Sequence, residues 1–212
     1  MALQDRAVET RKAIIRGAAA VFEDAGYGPA SLQMVAETAE VTRGALYFHF
    51  KTKELLALAV IDDQHARTKE SAAEVFSRNL GPIETICALC SCFASLLQTD
   101  PVVRAGIRLT LESSTFGQRI SSPYTDWMQI MEQLTLEGQA SGEISGKVDA
   151  RAFGRYLVAS FTGVQMVSNV LTARQDLTER VDELLAFVRL TLSPSPSGQH
   201  GFSTLEELTP LA

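Results

Sequence analysis

Cysteine is scarce in this sequence. Its three cysteines, Cys87, Cys90 and Cys92, fall within six residues, and an odd count so clustered makes no disulfide framework. Their spacing resembles a metal half-site, but on a helix the three thiols project on different faces. No second cysteine pair or nearby histidine completes a tetrahedral set, so free buried thiols are expected and no metal. Long apolar runs are missing too. The most apolar stretch, Ile86 to Leu97, has 12 residues, against the roughly 20 that span a bilayer. The first residues lead into a charged helical pattern and not an apolar signal core, so a cytoplasmic, reduced protein without a membrane partner is expected. Aromatics make up 7% of the 212 residues, with one tryptophan, Trp127.

Strand-like alternation is also lacking, and no repeat of 20–50 residues is visible. That leaves neither sheet nor solenoid. The three histidines, His49, His65 and His200, stand in no nucleophile–base arrangement. Gly26-Tyr27-Gly28-Pro29 lacks the lysine and flanking strand of a phosphate-cradling loop. No catalytic constellation emerges, so an enzyme is not expected, and no cofactor is implied.

What is present is helical periodicity nearly throughout, at 46% hydrophobic and 21% charged residues. A first helix is expected from about Arg6 to Ala25, closed by Gly26 and Pro29. Ser31 caps a short helix, and Thr42 caps another beginning at Arg43. Thr52 caps a long helix from Lys53 to about Ser77. Further helices are expected at about 83–98 and 102–113, from Ser122-Pro123 to a loop at 138–146, and at about 149–172 and 177–192. The sequence Ser193-Pro194-Ser195-Pro196-Ser197-Gly198 reads as a linker. Beyond it, a short helix at Ser203–Leu208 and a frayed end are equally open. The expected plan is all-α: an N-terminal three-helix helix-turn-helix domain over 1–53, a helical ligand-binding and dimerisation domain over 54–192, and a tail over 193–212.

Charge divides along the same line. Residues 1–53 carry seven Lys/Arg against six Asp/Glu, while 54–212 carry twelve against nineteen. The net charge of −6 therefore belongs to the body, and a polyanion would meet the head. Two short capped helices braced by a longer one match the helix-turn-helix plan, in which the second short helix enters the major groove of double-stranded DNA. Arg43 can donate twice to a guanine edge. Gly44 permits close backbone approach. Tyr47, His49, Lys51 and Lys53 are placed to reach phosphates, as is Ser31 from the opposite wall. Leu46, Phe48 and Phe50 are expected in the core beneath.

The literal string Thr42-Arg43-Gly44-Ala45-Leu46-Tyr47-Phe48-His49-Phe50-Lys51-Thr52-Lys53-Glu54-Leu55-Leu56 resembles the recognition region of TetR-type repressors. Thr10-Arg11, Ile14-Ile15, Phe22 and Gly26-Tyr27 fit that family's first helix. The resemblance implies Thr42 and Arg43 at bases, and Ser31, Tyr47, His49 and Lys53 at phosphates. Gly44 to Phe50, together with Pro101 to Leu109 and Pro123 to Trp127, looks most like the γ-butyrolactone receptors of actinomycetes. That branch implies a small lactone, butenolide or furan bound beside the tryptophan, and release from DNA on binding.

The body is compatible with this. Trp127 shares a helix face with Ile130, Met131 and Leu134. Gln64 shares the face of Val60 and Ile61. Ser160 interrupts the apolar line Phe153, Leu157, Val164, Val167, with Thr162 a weaker polar candidate. The resemblance aligns Gln64 and Ser160 with positions that contact ligand, although the branch often carries Thr at the latter. Ligand-contact candidates are thus Gln64, Trp127, Ile130, Met131, Ser160, Thr162 and Val164. Leu177, Val181, Leu184 and Val188, with Gly154, Ala159 and Gly163, are expected to form a homodimer interface. A TetR-type regulator that answers an antibiotic, another lipophile or no ligand remains an alternative. So does an all-α enzyme or interaction module whose head docks a protein.

Overall fold

The structure is a computed structural model and describes residues 2–194. The tail from Ser195 onward, with its expected linker and short helix, lies outside the described residues, as does His200. Among the described residues nine α-helices follow one another and no strand occurs. They are α1 (Ala2–Ala25), α2 (Leu32–Thr38), α3 (Arg43–His49), α4 (Lys53–Phe76), α5 (Pro82–Thr99), α6 (Pro101–Leu111), α7 (Ser122–Ser141), α8 (Ala150–Thr172) and α9 (Leu177–Leu192). A 3-10 turn, Ser113–Phe116, follows α6, which ends at Leu111, two residues before the expected end at about 113.

The starts are set by side chains that accept from orphan backbone N–H groups. Ser31 Oγ accepts from Met34, Thr42 Oγ1 from Ala45 and Thr52 Oγ1 from Leu55, each at 3.2 Å. Asp100 and Asp149 do the same for α6 and α8. Helix α7 starts at Ser122 with no side-chain cap bond, and Pro123 lies in its first turn.

Two cores result. The head core joins Ile14, Ala18 and Phe22 of α1, Val35 of α2, Leu46 of α3 and Leu56 and Val60 of α4 to Val102, Ala105 and Leu109 of α6. The body core joins Ala72 and Val75 of α4 and Val103 of α6 to the inward faces of α5, α7, α8 and α9. Helices α4 and α6 therefore belong to both cores, and neither can move without both responding.

Three expectations are corrected here. Phe48 is not core: it is 74% exposed, whereas Leu46 and Phe50 are buried. Positions 46 and 50 are one helical turn apart and share a face, while 48 lies on the far side. Leu177, Val181, Leu184 and Val188 are buried inside the chain and not on an outer seam. Gly154 likewise serves an internal contact, since a Cβ there would sit 2.6 Å from the Met128 carbonyl oxygen of α7. The apolar run in α5 belongs to an 18-residue helix that is long and apolar enough, by length and composition, to cross a membrane. Here its Ile86, Leu89 and Leu97 fill the body core.

Candidate nucleic-acid interface and candidate ligand cavity

Helix α3 touches the head through one buried side chain, Leu46. Its burial contributes roughly 1.5–3 kcal/mol and sets the helix with its other face outward. Thr42, Arg43, Gly44 and Tyr47 lie on that exposed surface, with Lys51 just beyond and Ser31 exposed at the start of α2. His49 is half-buried and packs edge-on to Phe48, ring centroids 5.1 Å apart. A Cβ on Gly44 would meet nothing closer than Thr42 Oγ1 at 4.0 Å. Internal packing therefore does not require glycine there, and its small size faces outward.

Lys53 does something else. Its ammonium donates to the carbonyls of Tyr27, Gly28 and Ala30 at 2.7, 2.9 and 2.8 Å. It also lies 4.4 Å from the Tyr27 ring centroid. An ammonium has three N–H donors, so none is left for a phosphate. Lys53 instead pins the loop between α1 and α2, which positions Ser31.

Inside the body, helices α4 to α8 line a partly open cavity of about 60 Å3. Gln64, Trp127, Met131 and Thr162 line it. Ile130, Ser160 and Val164 do not. Ile130 faces a separate outer groove with Phe76 and Leu80. Ser160 lies on the face of α8 that carries Tyr156, Gly163 and Val167, at helical steps of four, three and four. The inward face of α8 runs Phe153, Leu157, Phe161, Gln165 at steps of four, so following Val164 and Val167 misplaced the phase by almost a quarter turn. That spacing was available in the sequence and would have found Gln165. Tyr124, one turn before Trp127, also lines the cavity, as do Phe93, Ile107, Thr110 and Phe161, none of them among the sequence candidates. Trp127 stacks on Phe93 at 5.9 Å, and Phe93 on Phe161 at 5.4 Å, which builds an aromatic wall.

The polar atoms of the cavity are few, and three of them are unpartnered. Gln64 is 1% exposed and Gln165 is 3% exposed. Gln64 Oε1, Gln165 Oε1 and the Tyr124 hydroxyl are all buried without a hydrogen-bond partner. Burial pushes the Tyr124 hydroxyl above its ordinary pKa, so it stays a neutral donor. Burial and Cys87 push the Cys90 thiol up to about 12, so this lining cysteine is an inert apolar surface. Thr110 and Thr162 donate back to their own helices, to Gly106 and Val158. No lining side chain carries a charge. Such atoms are costly to leave unpaired, and a mostly apolar wall with a few placed polar groups is what a small-molecule site requires.

Helix α6 ties this cavity to the head. Ile107 and Thr110 face the cavity, while Arg104, Arg108 and the following Glu112 face α1. Arg104 is ion-paired with Glu23. Arg108 donates to the carbonyls of Glu23 and Asp24 at the end of α1, where cations and donors complement the helix terminus. Glu112 accepts from Arg108 Nε at 2.9 Å and from the Tyr27 N–H at 2.8 Å. Burial works to raise its pKa, but Arg108 and the Tyr27 amide outweigh it and hold the carboxyl below its usual range.

A short exposed helix on a three-helix head, carried by a helical body with a mostly apolar cavity, has the plan of a helix-turn-helix regulator. Residues 14–60 match the family described as bacterial regulatory proteins, tetR family, and 81–194 match the tetracyclin repressor-like C-terminal domain. The chain belongs to the TetR family, whose members are regulators and not enzymes. It is 36% identical over 184 residues to the A-factor receptor protein of Streptomyces griseus, covering 87% of this chain and 64% of that one. The chain thus spans somewhat under two thirds of that relative. A solved structure concerned with control of antibiotic production by bacterial hormones matches at TM-score 0.81 and 35% identity, covering 88% of this chain and 98% of that one. A gamma-butyrolactone receptor matches at TM-score 0.67 and 28% identity, covering 86% and 99%. These similarities lie in the butyrolactone-receptor branch of the family.

Proposed function

We propose that the chain is a homodimeric repressor, acting in the cytoplasm, that binds pseudo-palindromic operator DNA and is released by a small γ-butyrolactone-like effector. The observation that carries this reading is the cavity with three unpartnered polar atoms, one helix away from the grip on α1. Thr42, Arg43 and Gly44 meet base edges. Tyr47, Lys51, Ser31 and His49 meet phosphates, and Lys53 holds the loop that presents Ser31. Arg43 supplies specificity, and the cationic contacts supply affinity that falls with salt.

Two heads are needed to read half-sites about 34–36 Å apart or at a multiple of that spacing. An outer apolar seam supports pairing of two copies: Tyr156, Met166, Val167, Val170 and Leu171 on α8 with Phe187 and Leu190 on α9, all exposed. Two such helix pairs make a four-helix bundle.

Ligand in the cavity presses on Gln64, Ile107 and Thr110, and so on α4 and α6 together. Any shift of α6 carries Arg108 and Glu112 with it and re-aims α1 and the α1–α2 loop. Going from mostly bound to mostly released takes up to about 5 kcal/mol of differential affinity between the two states. The test is anisotropy of labelled DNA from upstream of the protein's own coding region, first with the purified protein and then with a γ-butyrolactone panel. Complex formation followed by release supports the reading. Equal lactone affinity for free and operator-bound protein defeats it.

A further inference from the structure

A second pocket lies between α6, the C-terminal end of α1 and the α8–α9 turn. It is a partly open recess of about 430 Å3, and Glu23, Arg104, Arg108, Asn169 and Arg174 give it a polar lining. It shares only Ile107 and Gln165 with the cavity of the body. Two of its arginines are largely spent. Arg108 donates to the Glu23 and Asp24 carbonyls and to Glu112. Arg104 is paired with Glu23, and its Nη1 donates to the Gln98 carbonyl at 3.0 Å. The Arg104 Nη2 makes no hydrogen bond among the described residues.

Arg174 is different. Among the described residues its guanidinium has neither a hydrogen bond nor an ion pair, and its Nε is buried without a partner. Burial, and then the nearby Arg104, hold its pKa below the ordinary value against a smaller opposing pull from Glu23. A guanidinium nonetheless stays charged. Its backbone is fixed: the N–H donates to the Ser168 carbonyl at 3.2 Å, and the carbonyl accepts from Gln98 Nε2 at 2.9 Å. Gln98 thus holds both Arg104 and Arg174 in place. Arg104, Arg108 and Arg174 against Glu23 and Glu112 leave one positive charge, three minus two. A cation kept partly from water beside another cation is costly to leave unpaired.

We propose that this pocket binds the carboxylate of a small organic acid, held by the Arg174 guanidinium and the free Nη2 of Arg104, with the acid's apolar body against Ile107 and Leu111. One surplus charge matches a monoanion, and a planar guanidinium matches a carboxylate through two parallel hydrogen bonds. The apolar wall favours an anion that carries carbon. A filled site ties α6 to the α8–α9 turn, beside the Arg104–Glu23 pair that holds α1. Val170, at the rim, belongs to the outer seam, so a second copy would stand beside the opening. This site is separate from the effector cavity and does not rest on that reading.

Hexanoate is the probe. Hexanamide is its uncharged counterpart, and inorganic phosphate is an anion without an apolar body. Each is titrated calorimetrically into the purified protein at constant ionic strength. Hexanoate is expected to saturate one site per chain, and the other two to bind about 10-fold more weakly or worse. Arg174→Gln, checked for fold by circular dichroism, is expected to weaken hexanoate by about 10- to 100-fold, the usual effect of losing a hydrogen bond to a charged group. Its Tm is expected not to fall, because the guanidinium has no partner to lose.

Unchanged hexanoate binding in Arg174→Gln overturns the site. Hexanamide equal to hexanoate on the unaltered chain overturns the need for a charge, whether or not the variant folds. Phosphate equal to hexanoate overturns the choice of a carboxylate with an apolar body. Absence of saturable hexanoate binding overturns the proposal outright. If Arg174→Gln then also weakens the association of two copies on dilution, a side chain of the second copy is the partner of Arg174.

Discussion

Gly106 of α6 packs directly against the side chain of Gln64 in α4. A Cβ on residue 106 would lie 2.4 Å from Gln64 Cβ and 2.6 Å from its Cγ. The two helices approach this closely because residue 106 has no side chain, and the contact sits between the cavity and the arginines that hold α1. Gly106→Ala is therefore expected to push α6 away from α4, at about 1–3 kcal/mol of stability, and to weaken operator binding without ligand. Gly146 is the control, since nothing lies within 4 Å of a Cβ there. Calorimetry and operator anisotropy on both alanine variants check this. A Gly106→Ala protein with unchanged operator affinity would remove the α4–α6 junction from the mechanism.

Lys51 and Lys53 are two residues apart and should behave oppositely. Lys51 is exposed beside α3, whereas the Lys53 ammonium is spent on three carbonyls. Lys51→Ala is expected to leave Tm unchanged and to reduce the slope of log K against log salt by about 1, the signature of one lost phosphate contact. Lys53→Ala is expected to lower stability by about 1.5–3 kcal/mol, as for hydrogen bonds to a charged group, with the salt slope intact. Arg43→Ala should abolish sequence-specific binding with Tm unchanged. A lowered salt slope in Lys53→Ala would return Lys53 to the phosphate contacts.

The local parts of this fold are legible because their causes are local. Ser31, Thr42 and Thr52 announce three helices through a hydroxyl and an amide three residues on, and α9 is bounded by its own apolar steps. Lys53 is not legible in this way, because its partners lie 23 to 26 residues upstream and depend on how α4 meets the α1–α2 loop. Phe48, Ser160 and Val164 are matters of helical phase. At each of them the apolar or polar spacing fits a buried phase, and a neighbouring phase is the one buried. Gln165 was legible in principle, as the fourth member of a strict step of four. The α9 seam is illegible for another reason: a helix with apolar residues on two sides does not tell from sequence which side its own chain takes.

That second side gives a prediction about assembly. Val170 is 81% exposed and Phe187 is 66% exposed, far more than large apolar side chains gain by facing water. Val170→Asp and Phe187→Asp are each expected to yield folded monomers by light scattering and to lose operator affinity, with at least about 2 kcal/mol of association energy removed at a central position. Val181→Asp, in the same helix as Phe187 but buried, is expected to unfold the body instead. A Val170→Asp protein that remains dimeric would place the interface elsewhere.

Asp176 fastens the turn between the two helices of that seam. Its carboxylate accepts from Ser168 Oγ at 2.6 Å, Thr172 Oγ1 at 2.7 Å and Arg180 Nε at 2.7 Å. The hydrogen bonds from Ser168 and Thr172, and then Arg180, hold its pKa at about 2, below the ordinary 3.8. A carboxyl depressed in the folded state adds stability above its unfolded pKa and loses it as pH falls through the folded one. Its share is thus complete above about pH 4 and disappears toward pH 2. Asp176→Asn keeps the shape but not the charge. Its Tm is expected to lie below that of the unaltered protein at neutral pH, and to fall less steeply over that acid window, so that the two curves converge. The same steepness in both proteins would mean that other carboxylates carry the acid transition and that Asp176 does not hold the α8–α9 turn through its charge.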